Sequence, residues 1–292
     1  MFESHSGKLL RWTHVVVVVC LPGLLCSGAF GKARSVPWQK TLNYEDRDLY
    51  PISVGKYGFP LVKVAVNGRE LDLVWDTGNM AGLLLSPSII QGLALPAAGE
   101  QTFYTSAGEV AGSYPSYRID QLKAFGGTLK DERAYEYQGD LNGLIGPRYV
   151  LSGRFTLDCK HKLIAVSGTP LPEQVKGRLP MVISRQYPGL ILVHGSANGQ
   201  NVLVEIDTGK SRTAVDPALV SLLRLPKTAS GYRIDEIKLG SCKFKVPAAK
   251  VVGLQGLSRQ LPEPIMLGIG SDILSKVVLT VDYPQQVMLI SR

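Results

Sequence analysis

An apolar strand running into Asp-Thr-Gly occurs twice in this chain, 131 residues apart, and that repetition constrains the fold more than any other feature. The first copy is LDLVWDTGNMAGLLL, Leu71 to Leu85; the second is VLVEIDTGKSRTAV, Val202 to Val215. Nine residues before each aspartate stands an Asn-Gly pair, Asn67-Gly68 and Asn198-Gly199. Asn-Gly suits the type I′ turn, which needs positive φ at both central residues, so each aspartate is expected at the end of a tight hairpin. Upstream, PISV and FPLVKVAV in the first half answer PMVIS and GLILVHGSA in the second as strands.

The match continues downstream. Ser86-Pro87 and Asp216-Pro217 each place a capping side chain before a proline suited to the first helical position, which predicts a short helix ending near Pro96 or Pro226. YRIDQLKAFGGTLK from Tyr117 aligns with YRIDEIKLGSCKFK from Tyr232 as strand, turn and strand. Gly146 precedes Asp158 by twelve residues, and Gly270 precedes Asp282 by twelve. Such agreement is internal duplication of one β-rich unit. It predicts an all-β, bilobal chain: a first lobe over 34–166, a linker rich in Pro and Gly over 167–179, and a second lobe over 180–292. The copies differ between the helix and the YRID strand, where the first spends twenty residues, AAGEQTFYTSAGEVAGSYPS, and the second five, KTASG. The longer insert reads as a hairpin carried by one half alone.

Residues 1–33 read as an export signal. Lys8 and Arg11 precede an apolar run from Val15 to Leu25, and small residues suited to a leader peptidase follow. The run is short for a membrane span and is interrupted by Pro22. Export to the periplasm or outside is therefore expected, with no stable membrane association after cleavage. The chain as a whole carries a net charge of +8, and without its first 33 residues +6, with the positive residues scattered. A nucleic-acid partner would call for a basic stripe with interleaved aromatics, so none is expected. Cys159 and Cys242, in different halves, leave both a bridge and two free thiols open. With His161 and His194 the only histidines after residue 33, they give no metal-ligand spacing, and neither metal nor cofactor is expected. The absence of a G-x-S-x-G sequence removes support for a nucleophile elbow.

With two Asp-Thr-Gly triplets after apolar strands, and the later apolar-Gly segments Leu144-Ile145-Gly146 and Ile269-Gly270, the chain resembles the aspartic peptidases of the pepsin and retropepsin superfamily over nearly all of residues 34–292. The resemblance implies two β-barrel-like lobes with short helices, an active-site cleft between them, and an apolar-Gly segment crossing beneath each triplet loop. It further implies that Asp76 and Asp207 meet as a catalytic pair, and that Thr77 and Thr208 lock the two loops through hydroxyl hydrogen bonds. Gly78 and Gly209 would let the backbone approach the carboxylates. The insert in the first half would be a flap, with Tyr104 or Tyr114 as its substrate-contacting aromatic. Peptide or protein would be the substrate, and a monomer is expected.

The chemistry has a physical reason. Two carboxyls held within about 3 Å share one proton, because ionising both in contact is costly. The ionised member accepts a proton from water while the neutral member donates to the peptide carbonyl. Two positions depart from the family pattern: the residue after each triplet, usually small or hydroxylic, is Asn79 in one copy and Lys210 in the other. Asn79 has an amide able to donate to the pair. The Lys210 ammonium either faces the pair, lowering its pKa values, or faces solvent and does nothing. These departures motivate a second reading, a weak or inactive pepsin-like binding or inhibitory module. Trp75 is expected in the core, Asp158 and Asp282 as turn formers. The segment Arg34–Tyr50 carries three basic residues and is short for an inhibitory pro-piece.

Overall fold

Positive φ at both residues of each Asn-Gly pair, 46° and 85° at Asn67-Gly68 and 46° and 84° at Asn198-Gly199, gives the chain its two matching hairpins. Each Asn then serves a second purpose. Asn67 Oδ1 accepts from Gln121 N, and Asn198 Oδ1 accepts from Asp235 N and Glu236 N, so each turn is stitched to the YRID strand of its own lobe. The computed structural model describes residues 36–104, 109–258 and 261–292. The proposed signal over 1–33 lies outside them.

The fold is all-β and bilobal, with a few short helices. In the first lobe the strands Pro60–Val66, Arg69–Trp75, Gly143–Ile145, Leu83–Leu85, Gly127–Glu136 and Val110–Ala124 are neighbours in that order. Pairing of Ala65 with Lys123 and Val66 with Leu122 closes the ring. In the second lobe Ile191–Ala197, Gln200–Ile206, Ile265–Ile269, Ala214–Val215, Cys242–Val251 and Gly231–Leu239 repeat that order. There Ser196 pairs with Lys238 and Ala197 with Ile237 to close it. The duplication read from sequence is therefore a duplication of barrels. In both, the strand leading to the Asp-Thr-Gly triplet runs parallel to the apolar-Gly strand, Val74 beside Leu144 and Glu205 beside Gly268.

The lobes share one sheet at their base. Arg154–Asp158 and Val278–Asp282, equivalent strands of the two copies, pair antiparallel with Thr156 opposite Thr280 and their hydroxyls 2.8 Å apart. An antiparallel pairing of equivalents is what a local twofold axis produces, and the two threonines mark where it passes. Asp158 and Asp282 cap the turns that follow, accepting from His161 N and Gln285 N. Both also reach further: Asp158 accepts from Trp38 Nε1 at 2.7 Å, and Asp282 accepts from Leu171 N in the linker at 2.8 Å.

Two expectations need adjustment. PMVIS is not a full strand: only Leu179–Pro180 pairs, with Met181 forming a single bridge to Val193. Pro180 brings no ladder donor, and the chain turns at Ser184, whose Oγ accepts from Tyr187 N. The segment after Arg34, noted in the sequence only as short for a pro-piece, contributes to the core. Leu42 and Tyr44 are buried with Ala165 and Leu171, and Trp38 packs against them. Trp75 is fully buried, edge-on to Phe125 and Phe155 at 5.2 and 5.3 Å, so it is a core residue.

Candidate active site

Both triplets sit at the junction of the lobes. Each aspartate N–H donates at 3.0 Å to the apolar-Gly strand of its own lobe, Asp76 to Ile145 O and Asp207 to Ile269 O. Those strands cross beneath the loops, where a side chain at Gly146 would collide with Asn79 O and one at Gly270 with Lys210 O. The loops then interlock. Thr77 N donates to Thr208 Oγ1 and Thr208 N to Thr77 Oγ1, both at 3.0 Å. Each hydroxyl in turn donates into the opposite lobe, Thr77 to Ile206 O at 2.9 Å and Thr208 to Trp75 O at 2.5 Å. Both threonines are buried, so these four bonds satisfy groups that water does not reach.

The grip sets the carboxyls against each other. Gly78 lies on Asp207 and Gly209 on Asp76, and a Cβ at either would overlap the carboxyl it faces. Each glycine N–H donates to the aspartate of its own triplet, Gly78 to Asp76 Oδ1 at 2.9 Å and Gly209 to Asp207 Oδ1 at 2.8 Å. Asp76 and Asp207 are within hydrogen-bonding reach of each other. Burial, then the neighbouring charge of Asp207, raises the pKa of Asp76 well above the ordinary carboxylate range, with the Gly78 N–H and Lys210 opposing. One proton on the pair is the cheap state, as the shared-proton chemistry requires.

The residues after the triplets diverge. Asn79 is turned into its own loop, its Nδ2 donating to Gly82 O and its Oδ1 accepting from Ala81 N, which corrects the expectation that its amide serves the pair. Lys210 takes the orientation toward the pair. Its ammonium contacts Asp207 Oδ2 and donates to Glu205 Oε2 at 2.9 Å. Burial opposes the charge on Lys210, yet Glu205 and Asp207 hold it protonated above its ordinary range. Burial raises the pKa of Glu205, against the pull of Lys210.

Glu205 was not among the residues singled out from sequence, though a signal was present. It occupies the position of Val74 in the duplicate, just as Lys210 occupies that of Asn79 and Gly268 that of Leu144. In the first lobe Val74 and Leu144 fill this space with Phe59. In the second, a Cβ added at Gly268 would come within 3.2–3.4 Å of Glu205 Oε2 and the Lys210 chain, so a side chain there would crowd the ion pair. Tyr137 was also missed; it packs beside Val74 and Leu144, and burial first, then Asp140 and Asp76, raises its pKa.

The insert of the first half is a hairpin, Ala97–Tyr104 against Val110–Ala124, whose tip at 105–108 lies outside the described residues. Tyr104 is exposed at its end, and Tyr114 rests on Phe103 with ring centroids 5.7 Å apart. Cys159 and Cys242 are buried free thiols. Among the described residues no cluster of His, Cys, Asp and Glu is arranged to hold a metal, and no helix is long and apolar enough to cross a membrane. A basic concavity of about 410 Å³, bordered by Arg212, Lys245, Lys276 and Arg292, lies in the second lobe and takes in neither aspartate. No family model matches the chain, and no curated protein matches it either.

Proposed function

We propose that the protein is an aspartic endopeptidase of the pepsin and retropepsin type, in which Asp76 and Asp207 activate water against a peptide bond. One observation carries the reading: two loops from duplicated lobes, interlocked by reciprocal threonine hydrogen bonds, bring two carboxyls into contact where a single proton is favoured. A pair of turn aspartates would need no such lock, and the glycines facing each carboxyl have no packing reason to be bare except to admit the acid. The ionised member takes a proton from water as the oxygen attacks, and the neutral member protonates the carbonyl, so no acyl-enzyme forms. The hairpin over 97–124 serves as the flap, holding an extended peptide by backbone hydrogen bonds and excluding water, with Tyr104 or Tyr114 against the substrate. The substrate is peptide or protein, the protein acts as a monomer, and it is exported.

The second reading, a binding or inhibitory module, is favoured by one contact, the permanent cation on Asp207. Cleavage of casein or a quenched peptide library across pH separates the two. Asp76→Asn and Asp207→Asn should each abolish cleavage, by at least about a thousandfold, if the aspartates act as one unit. Residual cleavage equal to that of the unaltered protein in either variant would remove the pair from the mechanism.

A further inference from the structure

The two copies of the duplicated unit are alike at the aspartates and unlike immediately behind them. Behind Asp76 the parallel strands contribute Val74 and Leu144, both buried and apolar. Behind Asp207 the same two positions are Glu205 and Gly268, and the loop position that is Asn79 in the first copy is Lys210. These three differences form one arrangement. Glu205, 1% exposed, is the buried counter-charge that fixes the ammonium. Gly268 leaves the room for both side chains. Lys210 spans from Glu205 Oε2 to Asp207 Oδ2. A catalytic pair made from two equivalent loops is otherwise nearly symmetric, so a cation touching one member breaks the tie.

We infer that Lys210, positioned by Glu205, fixes which aspartate is the base: Asp207 is held as the carboxylate that takes the proton from water, and Asp76 is the acid that donates to the substrate carbonyl. This rests on the peptidase reading for its chemistry, although the placement of the proton does not depend on a substrate. In the attack step a water O–H proton passes to Asp207, the water oxygen bonds to the carbonyl carbon, and the carbonyl π pair moves to oxygen, which receives the proton of Asp76. In the collapse step Asp207 returns its proton to the amide nitrogen as the C–N bond breaks. Asp76 recovers a proton from one hydroxyl of the tetrahedral diol. The products are a carboxylic acid and an amine, with both aspartates restored.

The groups facing the pair agree with this order. On the second lobe they are Lys210 and Glu205, whose charges offset, with the cation in contact with Asp207 and the anion bonded to that cation. On the first lobe Asn79 is turned away and Tyr137 feels Asp76 electrostatically; among the described residues no cation of that lobe is bonded to Asp76, and Lys210 acts on it more weakly than burial and Asp207 do. Arg212, the next cation along the second loop, donates to Ser230 O and Ala248 O instead. The Gly78 and Gly209 N–H bonds fall one on each aspartate and cancel in the comparison. The raised pKa of Asp76, caused first by burial, points the same way.

Carboxyl NMR of the protein labelled with ¹³Cγ-aspartate, followed from pH 2 to 9, reads each proton directly. The two signals are assigned from their loss in Asp76→Asn and Asp207→Asn. The expected result is that Asp76 keeps its proton to higher pH than Asp207 does. Lys210→Met should abolish or reverse that order and carry the acidic limb of the peptide-cleavage profile up by about 1–3 pH units, whereas Lys210→Arg should keep the order. Because Lys210→Met leaves Glu205 buried without its partner, a second variant, Glu205→Val with Lys210→Asn and Gly268→Leu, installs the residues of the first lobe and should have the same effect. A low midpoint on Asp76, or an order unchanged in Lys210→Met and in the triple variant, would overturn the inference. Cleavage measured on the same samples separates it from the functional reading. A protein that keeps the order but cleaves nothing loses the peptidase reading alone, and one that cleaves with the order reversed loses this inference alone.

Discussion

At the scale of single residues, the cost of the site is concentrated in Asp76. Its carboxyl is held neutral in the folded chain by burial and by Asp207, so its folded pKa stands above the unfolded value near 3.8. For an acid shifted in this direction the unfolded chain releases its proton first, and stability falls as pH rises from the ordinary carboxylate range toward the folded value. Asp76→Asn removes that penalty. It should raise Tm at pH 7 by several degrees, on a scale of about 2–4 °C per kcal/mol for a chain of this size, and leave Tm nearly unchanged near pH 3. A loss of Tm at pH 7 in this variant would contradict the assignment. The triplets themselves were legible in the sequence because Asp-Thr-Gly, repeated at the end of two matching apolar strands, is hard to reach by chance. Glu205 was not, because one glutamate among Val204, Ile206 and Val202 is indistinguishable from a solvent-facing strand residue until the pleat is known. Comparing the copies position by position, Glu205 against Val74, would have exposed it. The direction of Lys210 was not legible either, because it depends on the room left by Gly268 in a strand more than fifty residues away.

At the scale of elements, the hairpin of the first lobe extends a feature both lobes possess. In the second lobe Lys227–Thr228 pairs with the start of Gly231–Leu239, Lys227 opposite Tyr232. In the first, Ala97 stands opposite the equivalent Tyr117, and the pairing then continues through Gln101 opposite Tyr114 to Tyr104 opposite Val110. The extension is mostly exposed, held by Phe103 against Tyr114 and Tyr135 rather than by the core. Replacing residues 97–116 with the Lys-Thr-Ala-Ser-Gly of the second copy therefore keeps the register at the base. The variant should fold with a Tm close to that of the parent and lose about a hundredfold or more in peptide cleavage, through lost positioning of the substrate. Unchanged cleavage would show that the hairpin is not a flap. The unequal spacing between the copies made this element visible in the sequence. Which face its aromatic residues present was not visible, because a hairpin exposed on both sides lacks the alternation that a buried face imposes.

At the scale of the whole molecule, the two copies are joined at two levels of one local twofold axis: above by Thr77 with Thr208, below by Thr156 with Thr280. The lower level is braced by the segment that precedes the first lobe. Buried Arg154 donates to Leu42 O, Asn43 O and Thr169 O and stacks over the ring of Tyr44, whose hydroxyl accepts from Thr156. Local periodicity gave no hint of this, since the segment contributes scattered anchors, Trp38, Leu42 and Tyr44, with neither a helical nor a strand period. The arrangement separates a structural segment from an inhibitory one. A pro-piece covering the aspartates would release activity when its contacts are weakened, whereas a brace beneath the shared sheet would release nothing. Leu42→Ala empties a buried site and should cost about 2–5 kcal/mol, a large part of the roughly 5–15 kcal/mol that holds a typical domain folded. Since the segment and both lobes form one compact unit from Ser35 to Arg292, that loss should lower a single unfolding transition rather than split it. Calorimetry of the variant beside the parent, with cleavage measured well below both transitions, tests this. The expected outcome is one transition at lower temperature and no gain in cleavage, and a rise in cleavage with an unshifted Tm would instead mark the segment as an inhibitor.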